Sequence, residues 1–464
     1  MSRSIGTREI WTWGSLGLPL AMLGYPLGIW LPRAYGTDVG IELAWIGFAG
    51  MAAGVFDAFT DPIMGFASDR FRSRWGRRRI WILCGTPVLV LAVWMLLNPP
   101  GGITAAYLLT WYMCLRVGTT LMLIPYSAWG AELSAEYHTR TRIQAAREVF
   151  VLVGLIAAAS IPFLVEEIYG DATTALIVLE NFSWAVLVLL PLSAIVIVAS
   201  VPEPPPLPGE GAVGLVRSLR LMARNGLFRR VLAIELLITC GENFRNALSL
   251  FFMQEVIGAA RPGALYLLYF STGLIAIAFW NYLARRFGKH QSLAFALVLV
   301  GIDSLIIFTL DYGDVTAFYV LFVIKGFCFG AFAYLPRAML ADVIDLDTAR
   351  SGDSRPGSYF SVHGLMTKLS ASVGLTALPL LSMFGFDAGR GASNTDAALF
   401  WLAVLYAIVP TLLFALAIWQ SVTWPLTAER HARLQGLMER RSARRRPARS
   451  HAATAADRGE LLPP

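Results

Sequence analysis

The sequence predicts an all-α membrane protein with twelve transmembrane helices in two six-helix halves. Three observations carry this prediction. Of the 464 residues, 56% are hydrophobic and only 15% are charged, whereas soluble domains average about 25% charged residues. Twelve apolar segments follow one another, each near the roughly 20 residues that a bilayer span requires. A stretch rich in Pro and Gly, VPEPPPLPGEGAVG, divides the twelve segments six and six.

The apolar segments set the predicted helices and domains. Their bounds are 12–34, 42–68, 80–98, 104–133, 145–165 and 180–201, then 230–257, 263–284, 291–310, 315–341, 359–384 and 397–424. The chain is therefore expected to contain an N-terminal bundle at 1–201, a linker at 202–229, a C-terminal bundle at 230–424 and a disordered basic tail at 425–464.

Loop charges predict the orientation in the membrane. Arg and Lys gather in every second loop, in the linker and in the tail, while the alternate loops carry acids such as Asp38, Glu166 and Asp311. The positive-inside rule then places both termini and the linker in the cytoplasm. This distribution explains the net charge of +7 without a nucleic-acid partner.

The second apolar segment carries two acids, within the sequence FDAFTDP. Asp57 and Asp61 are four residues apart and therefore share one helix face. Pro62 leaves the carbonyl of Ala58 without its helical donor. Together with the Thr60 hydroxyl, the carboxylates offer hard oxygen ligands suited to Na⁺ or to a shared proton. The alternative is that both aspartates only pair with arginines of other helices.

Lys368 lies in the eleventh apolar segment, within MTKLSASVG. A lysine at that depth requires a carboxylate partner or a cavity. Pairing with Asp57 or Asp61 would link the two halves through charge. A cation bound between the aspartates would compete with that pairing, which predicts a route from ion binding to rearrangement.

Other polar residues in the apolar segments are candidates for a central substrate cavity. Glu242 and Arg245 are three apart and either pair with each other or meet the substrate. Lys325 and Asp303 are expected to form a structural pair, and a histidine such as His363 more often serves helix packing than a proton relay. The predicted cavity residues are Tyr25, Arg116, Tyr126, Arg147, Glu242, Arg245, Tyr334 and His363.

The loop after the second segment reads GFASDRFRSRWGRRR, and the loop after the eighth, RRFGKH, is a reduced copy. Carboxylate–arginine pairs and helix ends at such a mouth can hold a gate closed. The predicted cytoplasmic gate consists of Asp69, Arg70, Arg77 and Arg78. Simple anchoring of the topology by the arginines is the alternative.

Enzymatic chemistry is not expected. The five histidines are scattered, and neither H-E-x-x-H nor G-x-S-x-G occurs. We therefore predict a monomeric protein of the bilayer that handles a small-molecule substrate, with no cofactor other than a coupling ion.

Three regions resemble one known family. They are DAFTDPIMGFASDRFRSRWGRRRIWIL (57–83), IPYSAWGAELS (124–134), and MLADVIDLD (339–347) with PGSYFSVHGLMTKLSASVG (356–374). They are similar to the glycoside–pentoside–hexuronide:cation symporters of the major facilitator superfamily, the family of melibiose permease. The resemblance implies pseudo-symmetric halves, alternating access and cation-coupled transport of a glycoside, sugar or sugar acid, here across a bacterial inner membrane.

The resemblance also assigns residues. It implies a Na⁺ or H⁺ site at Asp57 and Asp61, completed by Thr120, which stands five residues before Pro125. The intramembrane lysine of the family corresponds to Lys368, and its helix V arginine corresponds to Arg147.

The sequence departs from melibiose permease at the sugar. That protein uses acids of helices I and IV, but here the first segment contains no acid and Leu123 stands at the helix IV position. Vertebrate lysophospholipid symporters resemble this chain in the same three places, and an apolar first helix suits an acyl chain. Transport of a lysophospholipid or another amphiphile is therefore the alternative prediction.

Overall fold

The structure is a computed structural model and describes residues 5–71, 73–134, 137–203, 224–351, 356–389 and 391–425, which fold as α-helices without a β-strand. The first half comprises α1 (Thr7–Val39), α2 (Leu43–Arg70), α3 (Arg79–Leu97), α4 (Ala105–Glu132), α5 (Tyr137–Tyr169) and α6 (Ala175–Ser200). The second comprises α7 (226–257), α8 (Pro262–Phe287), α9 (Lys289–Phe308), α10 (Val315–Ser351), α11 (356–383) and α12 (Asp396–Val422).

Twelve membrane-crossing helices are therefore present, as predicted. Among the described residues, eleven helices are long and apolar enough to cross a membrane on composition alone. The other one is α7, which carries Arg229, Arg230, Glu235, Glu242 and Arg245. Ionisable side chains in a spanning helix usually face a protein interior or a cavity, and Glu235, Glu242 and Arg245 of α7 are buried.

Helix packing repeats between the halves. In the first half α2 packs on α4, α3 on α4 and α6, and α1 on α5. In the second half α8 packs on α10, α9 on α10 and α12, and α7 on α11. Each pair recurs six helices later, which is the pseudo-symmetry expected of the major facilitator fold.

Backbone details repeat as well. Both α1 and α7 finish in a wide π-type turn, Ala34–Val39 and Phe252–Ile257. Each turn ends at a glycine with positive φ, 82° at Gly40 and 78° at Gly258. Glycine is the residue that adopts this left-handed conformation without a steric penalty, which explains the residue type at both positions.

The halves meet through α2 against α11, α5 against α8 and α1 against α7. We call the side of the bundle where α6 ends and α7 begins the linker end, and the other side the opposite end. At the opposite end, Arg33 of α1 pairs with Glu255 of α7 at 3.0 Å. The Glu166 carboxylate of α5 accepts from the backbone N–H of Gly263 in α8 at 2.6 Å. Polar contacts thus join the two halves at the opposite end.

Candidate functional site

Close helix approach places α11 beside α2. Gly47, Gly50 and Gly54 of α2 face α11, and a Cβ added at Gly54 would lie 1.5 Å from Ser372 Oγ. Added Cβ atoms at Gly47 and Gly50 would lie 2.4 Å from Pro379 and 2.3 Å from Leu375. Small residues allow helix backbones to come together in a membrane. One to two turns further along this contact, α2 presents Asp57 and Asp61.

Five side chains from three helices form a charged cluster at this crossing. Lys368 Nζ of α11 lies 2.5 Å from Asp61 Oδ2 and 3.7 Å from Asp57 Oδ2. Thr120 of α4 donates to Asp61 Oδ1 at 2.9 Å. Arg116, one turn earlier on α4, donates to Asp57 Oδ2 at 3.3 Å. The structure therefore brings together Asp57, Asp61, Arg116, Thr120 and Lys368, from both halves.

One carboxylate oxygen in this cluster lacks a hydrogen-bond partner among the described residues. The Asp57 side chain is 2% exposed, yet its Oδ1 atom has no hydrogen-bond partner among the described residues. Buried carboxylate oxygens are normally satisfied. An unpaired oxygen beside a second carboxylate and a hydroxyl is the arrangement that a bound cation or an added proton would complete.

Thr60 is not part of the cluster. Its hydroxyl turns back along α2 and donates to the Phe56 carbonyl at 3.2 Å, so it does not contact either aspartate here. Among the described residues, no group of three or more His, Cys, Asp and Glu side chains comes together. A cation bound at the two carboxylates would therefore also need neutral oxygen ligands, such as Thr120 Oγ1.

The cavity candidates of the first half lie in packed surroundings. Tyr126 is fully buried, stacks on Trp13 at 4.6 Å between ring centroids, and donates to the Trp13 carbonyl at 3.0 Å. Arg147 lies over the Tyr126 ring at 6.0 Å. Tyr25 contacts Tyr266 and other aromatic rings between the halves, and its buried hydroxyl has no partner among the described residues.

The candidates of the second half are mostly buried as well. Glu242 and Arg245 bond to each other, as one of the two sequence interpretations holds. His363 Nε2 lies 2.7 Å from Glu235 Oε2, between α11 and α7. Tyr334 is half-buried. Sequence reasoning missed Glu235, although a carboxylate within a predicted span was signal enough to find it.

Asp303 and Lys325 do not form the direct pair expected from the sequence. Within the described part of the chain, no ion pair joins them, and both Asp303 carboxylate oxygens are buried without a hydrogen-bond partner. Lys325 instead lies among aromatic rings, 5.0 Å from the Phe322 centroid. The two residues stand on α9 and α10, and their side chains stop short of contact.

The predicted gate residues form contacts within the first half. Arg77 and Arg78 each place a guanidinium nitrogen 2.6 Å from Glu132 at the end of α4. Arg70 lies over the Phe66 ring at 3.9 Å, and the Asp69 side chain lies outside the described residues. In the second half, Lys289 pairs with Asp342 of α10 at 2.6 Å. The two loops are therefore structural counterparts, as the reduced sequence copy indicated.

Fold and site together define a membrane transporter of the major facilitator type, built from two repeated bundles with a charged cluster between them. The family model described as MFS/sugar transport protein matches residues 12–428. The chain belongs to this family, which comprises transporters and not enzymes.

Relatives in two substrate groups are similar along most of the chain. The putative glycoside/cation symporter YagG of Escherichia coli is 24% identical, with 85% of this chain and 89% of that protein covered. The sodium-dependent lysophosphatidylcholine symporter 1 of Mus musculus is 26% identical, with 92% and 88% covered. Among solved structures, the nucleoside transporter NupG superposes with a TM-score of 0.64 at 12% identity, covering 90% of this chain and 100% of that chain. That likeness concerns the fold.

Proposed function

We propose that the protein is a cation-coupled secondary transporter whose coupling ion, Na⁺ or a proton, binds at Asp57 and Asp61 with Thr120 as a further oxygen ligand. Relatives named as cation or sodium-dependent symporters support the coupling. The substrate binds between the two halves, and alternating access moves it across the membrane.

One observation carries the proposal: Lys368 of the second half pairs with Asp61 of the first at 2.5 Å. A cation that occupies the carboxylates displaces the ammonium group, because both are positive and share one acceptor. The ion then changes a charge contact between the bundles. Ion binding can shift the conformational equilibrium only through such a difference between states.

The contacts at the opposite end indicate which conformational state the structure represents. The positive-inside rule favours a cytoplasmic linker end, and on that orientation the two halves are joined on the outer side. The Arg33–Glu255 and Glu166–Gly263 contacts then belong to the outer closure. The outward-facing state requires that both separate.

Coupled uptake into proteoliposomes tests the proposal. Asp57→Asn and Asp61→Asn should each abolish ion-driven uptake while the purified protein keeps its helical content and melting behaviour. Asp311→Asn makes the same chemical change in an exposed loop and should transport normally. Ion-driven uptake at the level of the unaltered chain in both site variants would refute the proposed site.

For the substrate, we favour a glycoside, sugar or sugar acid, in line with the relative named as a glycoside/cation symporter. One structural observation favours the alternative, a lysophospholipid or similar amphiphile. Along α1, Gly24 and Gly28 border open space, with nothing within 4 Å of an added Cβ, and the neighbouring α1 residues carry no charge. A smooth apolar wall suits an acyl chain better than a polyol.

A thermal-shift screen separates the two substrate classes. The purified chain is heated with sugars, with sugar acids and with lysophosphatidylcholine below its micellar range, each with and without Na⁺. Stabilisation by sugars that increases with the cation supports the first class. Stabilisation by acylated ligands alone rejects it and supports the amphiphile.

A further inference from the structure

A second set of intramembrane charges lies in the core of the C-terminal bundle, apart from the cluster at Asp57 and Asp61. Its members are Glu242 and Arg245 on α7, Asp303 on α9 and Lys325 on α10. Arg245, Asp303 and Lys325 are 1%, 3% and 2% exposed, so all three are removed from water. Burying a charge is costly unless it is paired and hydrogen-bonded.

Two members of this set, Glu242 and Arg245, are paired. Arg245 bonds to the Glu242 carboxylate, donates to Ser304 Oγ at 2.8 Å, and covers the Phe414 ring at 5.0 Å from the centroid. Glu242 and Arg245 thus pair with each other, and neither forms a hydrogen bond or ion pair with Asp303 or Lys325 in the described part of the chain.

Asp303 and Lys325 are not satisfied in this way. Neither Asp303 oxygen has a hydrogen-bond partner among the described residues. The only hydrogen bond that the structure describes for Lys325 Nζ is a long one, 3.5 Å to the Tyr406 hydroxyl. The rings of Tyr269, Phe322 and Tyr406 surround the ammonium nitrogen at 5.6, 5.0 and 5.4 Å.

The groups that face Asp303 and Lys325 come from each helix packed around them. The charged side chains near Asp303 are Arg245, Lys325 and Glu242. Those near Lys325 are Arg245, Glu242 and Asp303. The other titratable neighbours are neutral hydroxyl and thiol groups, from Tyr269 of α8, Cys328 of α10 and Tyr406 of α12. Among these described neighbours, no further charged side chain compensates the Asp303 carboxylate or the Lys325 ammonium group.

Separated charges of opposite sign in an apolar interior can be removed by moving one proton. Transfer from Lys325 to Asp303 converts the ammonium and carboxylate into an amine and a carboxylic acid, and no net charge is lost or gained. We propose that Asp303 and Lys325 form a proton-binding site in the C-terminal bundle, distinct from the cation site at Asp57 and Asp61. Release of the shared proton leaves the carboxylate and the amine.

The position of the site agrees with a role in the transport cycle. Lys325 precedes Asp342 on α10 by about as many residues as Arg116 precedes Glu132 on α4, and the α8–α10 contact repeats the α2–α4 contact. Lys325 therefore lies at about the same depth in α10 as Arg116 of the charged cluster does in α4. Protonation of the Asp303–Lys325 site would alter the charge of the second bundle, as ion binding alters the first.

Infrared difference spectroscopy on the full chain tests the site. In the unaltered protein, a carbonyl band from a protonated buried carboxylic acid should decline as pH is raised from about 5 to 9, the range in which strongly buried carboxyl and amino groups titrate. Asp303→Asn should remove this band, and Lys325→Met should leave it present across the whole range. Asp57→Asn, which alters the other site, should retain a titrating band.

Two infrared results would overturn the proposal: a band unaffected by Asp303→Asn, or no titrating carboxyl band once the contribution of Asp57 is subtracted.

Thermal unfolding gives an independent check. A shared proton leaves a neutral partner in each single variant, so Asp303→Asn and Lys325→Met should melt close to the unaltered chain. Large destabilisation in both singles that the double variant reverses would indicate a permanent ion pair and contradict the proposal. These infrared and melting results do not bear on ion coupling at Asp57 and Asp61.

Discussion

Asp57 and Asp61 stand one helical turn apart, yet they have different hydrogen-bond partners. Asp61 accepts from Thr120 and from Lys368 of the other half. Asp57 accepts from Arg116 within its own half and keeps one buried oxygen unpaired. On the proposed mechanism, Asp61 is the carboxylate that exchanges the lysine for the ion, whereas Asp57 stays anchored to the first bundle. The interpretation that the aspartates only pair with arginines describes Asp57 in part and does not describe Asp61.

Thr120 provides a prediction at the scale of one hydroxyl. Thr120→Ala removes the 2.9 Å hydrogen bond to Asp61 and one neutral oxygen ligand, an effect of about 1 kcal/mol. The affinity for the coupling ion should fall about fivefold, measured by titration calorimetry. Thr119→Ala is the matched control, because its hydroxyl donates to the Leu115 carbonyl at 2.8 Å. Equal losses in both variants would contradict a ligand role for Thr120.

The cost of burying charge explains how much of the site the sequence could predict. Charges inside spans are few, so that rule places Asp57, Asp61 and Lys368 on a short list of candidates from the sequence. It could not predict the partners, since these depend on helix rotation and crossing. Asp303 and Lys325 look like an ion pair on neighbouring helices, but their side chains stop short of contact and aromatic rings occupy the space around Lys325.

At the scale of helices, the contact between α2 and α11 determines whether the site exists at all. Gly47, Gly50 and Gly54 remove side-chain volume along one face of α2, so α11 lies near enough for Lys368 to reach Asp61. The chain contains many glycines, which are frequent in membrane helices. The sequence does not indicate which of them face another helix, because that depends on how the helices pack.

Gly54→Ala should force α2 and α11 apart. The new Cβ would lie 2.4 Å from the Ser372 Cβ, an overlap that no Ser372 rotamer relieves. Overpacking of this kind costs about 1–3 kcal/mol, so we expect a lower melting temperature. Adding Ser372→Gly should restore most of the loss, because it removes the clashing atoms.

Gly364→Ala is the control for this pair, since nothing lies within 4 Å of a Cβ added at that position of α11. It should melt like the unaltered chain. A Gly54→Ala variant of normal stability, or one that Ser372→Gly does not improve, would show that the helices are not held at this crossing.

The apolar pattern located every spanning helix to within about five residues at each end, except where a helix continues into polar sequence. Helix α5 begins at Tyr137, before the predicted 145, and α10 continues to Ser351, past the predicted 341. Both extensions are polar, and hydropathy cannot distinguish a polar helix from a loop. Hydropathy likewise could not predict the wide turns that end α1 and α7, because they depend on backbone geometry at Gly40 and Gly258.

At the scale of the whole molecule, hydrogen bonds and ion pairs join the two bundles at the opposite end. The buried Glu166 carboxylate accepts from the N–H groups of Gly263 and Ala264 at 2.6 and 3.3 Å, which are the first turn of α8. A carboxylate at a helix N-terminus is favourable, and bonds to an ionised group are stronger than neutral ones. Glu167, its neighbour, forms an exposed pair with Arg261 at 3.0 Å.

Glu166→Gln should loosen this closure by about 1 kcal/mol, which raises the population open at the opposite end about fivefold. Spin labels on cysteines at Gly101 and Tyr312, exposed loop positions of the two halves, would report longer distances. The native cysteines are replaced in this background. Glu167→Gln should change little, because exposed ion pairs contribute about 0–1 kcal/mol. Equal effects of the two variants would contradict a special role for Glu166.

Competition between Lys368 and the coupling ion for Asp61 is the central claim, and it connects the residue, the helix crossing and the rearrangement. The most direct test is the affinity of purified Lys368→Met for the ion, measured by calorimetric titration with Na⁺ at pH 8 and, for protons, by proton uptake with an indicator dye. If the lysine occupies the carboxylates for most of the time, its removal should raise the affinity about tenfold or more, while coupled uptake is lost. An affinity equal to or below that of the unaltered chain would contradict the claim.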